Sequence, residues 1–255
     1  MPVSAMALTG PPAEVSFMWP FRARREPLRP ASRSYGKGVR RVQTLAVAAA
    51  IAAVAVVAAA AQPRGGSPPV TIVALGDSLT AGLGLPADAA FPARLQRALA
   101  GKGIAAEVVN AGVSGDTSAD GLARLDWSVP DGTDAVILEL GANDALRGID
   151  PTHTRANLDE MLRRLKARHI PVLLAGMRAP PNMGADYVKA FDPIYPDLAA
   201  AYGVVFYPFF LDGVAAERRL NQGDGLHPTA DGVDVIVARM LPKVEELVGR
   251  AGAAR

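Results

Sequence analysis

Four short segments hold the side chains best suited to chemistry. Gly76-Asp77-Ser78-Leu79 offers a serine hydroxyl. Asn110-Ala111-Gly112-Val113-Ser114-Gly115-Asp116-Thr117 is rich in glycine. Gly141-Ala142-Asn143-Asp144 offers a side-chain amide, and Asp224-Gly225-Leu226-His227-Pro228 sets a histidine three residues after an aspartate. A serine at a strand–helix turn can be held exposed, and a following helix N-terminus favours developing negative charge. Asp224 can orient the His227 ring through one nitrogen while the other faces Ser78. Gly112 lets the backbone approach a ligand and present an N–H. Asn143 carries an amide donor where an oxyanion would need one. Nucleophile, base, base-orienter and oxyanion donors make the complete set for acyl transfer.

Each segment alone also has a plainer reading. Ser78 or Asn143 could cap a helix, and Asp116 and Thr117 are read as helix caps. Asp224 could be a capping acid beside a surface histidine. Pro228 suits a first helical turn. His153 and His169 lack comparable neighbours and are read as exposed and inert. The chemical reading gains from position, because all four segments follow predicted strands or open a helix.

The elements that must place them begin at Val70. Short β-branched runs occupy Val70–Leu75, Ala106–Val109, Ala135–Leu140, Pro171–Ala175 and Val204–Tyr207. Segments of helical spacing lie between and after them. Leu95 and Leu99 mark one, Leu158, Met161, Leu162 and Leu165 another, and Val235, Ile236, Met240, Val244 and Leu247 the last. Alternating strands and helices with near-continuous apolar strands predict an α/β fold with a parallel sheet covered on both faces. Ligands of such sheets bind beyond the carboxyl ends of the strands, where the four segments fall.

Charge separates the chain into two parts. Of 27 basic and 25 acidic residues, eight and two fall in residues 1–61, leaving 19 and 23 from Gln62 onward. The body is mildly acidic, which argues against a nucleic-acid surface. Residues 1–36 read as a disordered tail or as the product of a start called too far upstream. Residues 37–61 read as a signal peptide, with Lys37, Arg40 and Arg41 before an apolar run from Leu45 to Ala61; an uncleaved membrane anchor is the alternative. Residues 62–69 form a Pro/Gly-rich linker. The expected location is therefore periplasmic or secreted, or anchored in the inner membrane facing outward. There is no cysteine, so disulfides, thiolate metal sites and a cysteine nucleophile are excluded.

The segments GDSL, NAGVSGDTSADGLARL, LGANDALRG and DGLHP resemble the four sequence blocks of the SGNH (GDSL) hydrolases. The resemblance spans essentially Val70 to Leu247 and is nearest to the bacterial thioesterase I, lysophospholipase and arylesterase branch. It implies one domain over residues 70–255, a three-layer α/β/α sandwich around a flavodoxin-like five-stranded parallel sheet, with no metal and no cofactor. By position it implies Ser78 as nucleophile, His227 as general base and Asp224 as its partner. It implies an oxyanion hole made of the N–H of Ser78, the N–H of Gly112 and the side-chain amide of Asn143. The expected partners are small acyl esters or thioesters of short to medium chain. Nucleic acid is not expected, and membrane contact only through an uncleaved N-terminal segment. Leu79–Pro86 and Met177–Gly184 are either the walls of an acyl groove or ordinary loops. Two rival roles remain: an O-acetyl esterase acting on polysaccharide or cell wall, and a non-catalytic binding module.

Overall fold

Runs of Val, Ile, Leu and Ala without alternation cannot leave either face in water, so such strands end up inside a sheet. The computed structural model describes residues 68–254, and the tail, the signal segment and the linker up to residue 67 lie outside the described residues. Five strands form: β1 (Val70–Gly76), β2 (Ala106–Gly112), β3 (Ala135–Glu139), β4 (Val172–Ala175) and β5 (Val205–Tyr207). All pairings are parallel, in the order β2-β1-β3-β4-β5. This is the flavodoxin-like order, whose switch point lies between β1 and β3. The register sets Gly76 opposite Gly112 on one side and Glu139 on the other. Three of the four chemical segments therefore leave the sheet side by side.

Nine helices cover the sheet among the described residues: α1 (Ser78–Ala81), α2 (Phe91–Gly101), α3 (Ser118–Ala123), α4 (Leu125–Ser128), α5 (Ala142–Leu146), α6 (Pro151–Ala167), α7 (Ala185–Phe191), α8 (Ile194–Tyr202) and α9 (Ala230–Ala254). Helix α2 packs on α9, while α3 and α8 pack on α6, which gives the outer layers of an α/β/α sandwich. Helix α6 starts where Asp150 accepts the N–H of Thr152 and Pro151 takes a first-turn position. Leu158, Met161, Leu162 and Leu165 turn its apolar stripe into the core. No described helix is long and apolar enough to cross a membrane.

The structure corrects several boundaries. β2 continues past Val109 to Gly112, because it is an edge strand whose register on β1 does not depend on apolar side chains. β3 ends at Glu139, one residue short of Leu140. Pro228 is not in a helical turn: it forms an antiparallel bridge with Asn221, and α9 opens after Thr229, whose hydroxyl accepts the N–H of Gly232. Within α9 the core positions are Val233, Ile236, Val237, Met240, Val244 and Leu247, with Val235 only half-buried.

Candidate active site

At the end of β1, Asp77 caps α1 by accepting the N–H of Leu79 at 2.9 Å. The capping role open to Ser78 thus belongs to its neighbour, and the serine side chain is left free for another partner. Its Oγ lies 2.8 Å from Nε2 of His227, and Ser78 is 8% exposed. Gly82 ends the short helix in the left-handed conformation at φ 80°.

The histidine arrives on a loop closed at both ends. Beyond the Asn221–Pro228 bridge, the N–H of Gln222 donates to the carbonyl of His227 at 2.7 Å. The Gln222 side chain donates to Leu83 O, just beyond α1, and to Pro228 O. Within this loop Asp224 Oδ1 accepts the N–H groups of Leu226 and His227 at 2.9 and 3.0 Å, and Oδ2 sits 2.6 Å from His227 Nδ1. With Nδ1 protonated the ring donates to Asp224, and Nε2 is left to accept the Ser78 hydroxyl. The N–H and ring of His227, followed by the N–H of Leu226, hold the Asp224 carboxyl far below the usual carboxylate range. His153 and His169 are both exposed.

The two other donors already have partners. Gly112 donates its N–H to Asn110 Oδ1 at 3.0 Å. Asn143 donates to Asp77 Oδ2 at 3.0 Å and to Asp116 O at 2.9 Å, while Gly141 rather than Asn143 precedes α5. Both donors are thus held oriented and satisfied without a ligand; a developing oxyanion would replace the neutral acceptors Asn110 Oδ1 and Asp116 O with a charge, which makes the stronger bond. Gly112 must be glycine for a steric reason. A Cβ there would run into Ala81 N and stand 2.7 Å from Ala81 Cα and 2.8 Å from Asp77 O, all backbone of the turn that carries Ser78.

Several supporting residues escaped the sequence reading. Buried Arg124 pairs with Asp116 and also donates to Gly76 O, Ala111 O and the Ser128 hydroxyl, tying the ends of β1 and β2 together. Asp116 is therefore an ion-pair partner and not a cap, whereas Thr117 does cap α3. Asp144 accepts from the N–H and hydroxyl of Ser118 and from Thr154, linking α3, α5 and α6. An acid between Gly76 and Ser78 is a recognisable helix-cap signal for Asp77. Arg124, in contrast, lies inside the segment NAGVSGDTSADGLARL, where nothing in the local pattern marks the carbonyls it binds.

Beside the Ser78–His227 pair opens a groove of about 970 Å³. Its walls are mainly apolar and include Leu146, Met177, Pro180, Val188, Phe209 and Leu226. Met177–Gly184 supplies one wall through Met177 to Pro181, whereas Leu79–Pro86 contributes only Leu79. Val188 and Phe209 come from parts of the chain that the sequence reading left out, and Leu226 from the Asp224–Pro228 segment, read there only for its acid and its histidine.

A parallel α/β sandwich with a Ser–His–Asp hydrogen-bonded chain at its switch point has the build of a serine hydrolase. The sequence matches the GDSL-like Lipase/Acylhydrolase family over residues 74–235. The esterase TesA of Pseudomonas aeruginosa is 40% identical over 179 residues, covering 70% of this chain and 89% of that one. Thioesterase 1/protease 1/lysophospholipase L1 of Escherichia coli strain K12 is 41% identical over 179 residues, covering 70% and 85%. The crystal structure of AlinE4, an SGNH-hydrolase family esterase, superposes with a TM-score of 0.61 at 47% identity, over 71% of this chain and 98% of that one. The chain belongs to the GDSL/SGNH hydrolase family and is a carboxylic ester hydrolase.

Proposed function

We propose that Ser78, His227 and Asp224 are the catalytic triad of this esterase. The N–H groups of Ser78 and Gly112 and the Asn143 amide form its oxyanion hole. The observation that carries this is the unbroken chain from Ser78 Oγ to His227 Nε2 at 2.8 Å and from His227 Nδ1 to Asp224 Oδ2 at 2.6 Å. As Oγ attacks the acyl carbon, its proton passes to Nε2. The carbonyl oxygen becomes an oxyanion, each of whose donors is worth on the order of 3 kcal/mol of barrier. His227 then protonates the leaving alcohol or thiol, leaving an acyl-enzyme, and water repeats the sequence to release the acid.

The groove favours acyl groups longer than acetyl. Its volume is large for two carbons, and its lining offers apolar contact along a chain. The names of the Pseudomonas and Escherichia coli relatives support esters, thioesters and lysophospholipids as the substrate range. The basic and apolar segment at 37–61 supports export, which makes esters or lysophospholipids the natural targets, since acyl-CoA is scarce outside the cytoplasm. Hydrolysis of nitrophenyl esters from acetate to dodecanoate tests this. The expected kcat/KM rises from acetate towards the middle of the series. A maximum at acetate would overturn the acyl-groove reading and favour deacetylation.

A further inference from the structure

Beneath the nucleophile turn lies an acid that the acyl-transfer steps do not use. Glu139 closes β3 beside Gly76 and is 0% exposed. Its Oε2 accepts the hydroxyl of Thr80, also 0% exposed, at 2.7 Å, and Thr80 follows Ser78 by two residues on α1. Oε1 has no hydrogen-bond partner among the described residues. The ion pairs of the site belong to Asp116 and Asp224, not to Glu139. Gly76 makes room for this bond: a Cβ there would run into Thr80 Oγ1 and stand 2.6 Å from Glu139 Oε2.

We propose that Glu139 is a positioning residue for the nucleophile: its carboxyl, sealed under the turn, fixes Thr80 and thereby the placement of Ser78 against His227 and of Asp77 against Asn143. It does so as a neutral acid. Burial, and then the neighbouring Asp77 carboxyl, push Glu139 well above the usual range, against the opposing pull of the Thr80 hydroxyl and the N–H groups of Asp77 and Thr80. Asp77 is pushed up to about 6 by burial, against the opposing pull of the N–H of Leu79 and the Asn143 amide. Tyr195, His227 and Asp116 are the other titratable groups near the pair: the Tyr195 hydroxyl is spent on Leu140 O, His227 is bonded to Ser78 and Asp224, and Asp116 is paired with Arg124. Asp77 accepts the N–H of Leu79 and the Asn143 amide, whereas Glu139 accepts only the Thr80 hydroxyl and keeps one oxygen without a partner among the described residues, so Asp77 is the better-satisfied anion and the proton of the pair rests on Glu139.

The inference rests on Ser78 being the nucleophile, and its test separates the two. Glu139→Gln keeps a neutral side chain with an acceptor for Thr80, and Glu139→Leu removes the acceptor at similar volume. The Gln variant is expected to hold kcat within about twofold, and the Leu variant to lose about tenfold or more at nearly unchanged KM. Infrared difference spectra at neutral pH should show a carboxylic-acid C=O band in the wild type that is missing from the Gln variant. If the Leu variant does not fold, Thr80→Val carries the test, with the same loss expected. Wild-type kcat in the folded Leu variant or in Thr80→Val overturns the positioning role, as does a Gln variant no better than Leu. Absence of the acid band overturns the neutral state. Failure of a fluorophosphonate to label wild-type Ser78 would strike the nucleophile assignment alone and leave the band where it is.

Discussion

A single methyl group on Gly112 should disable the enzyme without unfolding it. In Gly112→Ala the new Cβ would meet Ala81 Cα at 2.7 Å and Asp77 O at 2.8 Å, where ordinary contacts begin at 3.4 Å. These are backbone atoms, which cannot swing aside as the end of a side chain can. Ala81 N is nearer still, so in a close-packed interior the turn must retreat by about 1 Å. That turn carries Ser78, whose Oγ is held 2.8 Å from His227 Nε2. A displacement of this size along that line breaks the hydrogen bond, and it shifts the Gly112 N–H relative to the oxyanion as well. Misplacement near 1 Å costs about a hundredfold in rate, or about 2.7 kcal/mol of barrier. The expected kcat is therefore on the order of 1–10% of wild type, with KM changed little. Overpacking should lower stability by about 1–3 kcal/mol, leaving the protein folded at assay temperature. Steady-state hydrolysis of a nitrophenyl ester, with circular dichroism melting as the folding control, reads both effects. A folded Gly112→Ala variant with full kcat would refute the steric account of the turn.

Three further outcomes follow from the same geometry. Asn143→Ala deletes one donor of the proposed oxyanion hole and should lower kcat about 10²–10³-fold, with KM much less affected, in the same ester assay. Arg124→Met leaves Asp116 without its cation and Gly76 O and Ala111 O without their donor, and should cost about 3–5 kcal/mol in urea unfolding. Raised carboxyls make folding take up protons, so the stability that Glu139 contributes is present below its ordinary value of 4.5 and is lost as pH rises towards its folded value. Urea unfolding across pH should show wild type losing about 1.4 kcal/mol per pH unit relative to Glu139→Gln within that window. Asp77 acts in the same direction between 3.8 and about 6, whereas the depressed Asp224 loses its contribution only below 3.8. A flat difference between the two proteins would show that Glu139 is not raised.

The parts of the molecule that could be read in the sequence are those set by local pattern. Short β-branched runs gave five strands to within a few residues, and Leu158 with Met161, Leu162 and Leu165 gave the core stripe of α6. The strand-end position of Ser78 and Asn143 followed from those strands, whereas the Asp224–His227 segment was placed only ahead of the last helix. What stayed hidden depends on contacts made across long stretches of chain. The edge strand β2 runs on through polar Asn110 because β1 pairs with it, not because its side chains are buried. Arg124 looks like a surface residue until the ends of β1 and β2 turn their carbonyls towards it. Glu139 sits at the end of an apolar strand as a lone acid, which hints at a role, but only the fold shows Thr80 above it and Asp77 alongside. The groove draws Val188, Phe209 and Leu226 from three separate segments, which no local spacing could assemble.

The central claim is that Ser78, activated by His227, attacks the acyl carbon. Peptide mapping after treatment with a fluorophosphonate measures it most directly, since the reagent bonds only to an activated nucleophile. The account predicts an adduct on Ser78 in the wild type, its loss in His227→Ala, and no ester turnover by Ser78→Ala. An adduct on another residue, or a Ser78→Ala variant that still hydrolyses nitrophenyl esters at the wild-type rate, would contradict it.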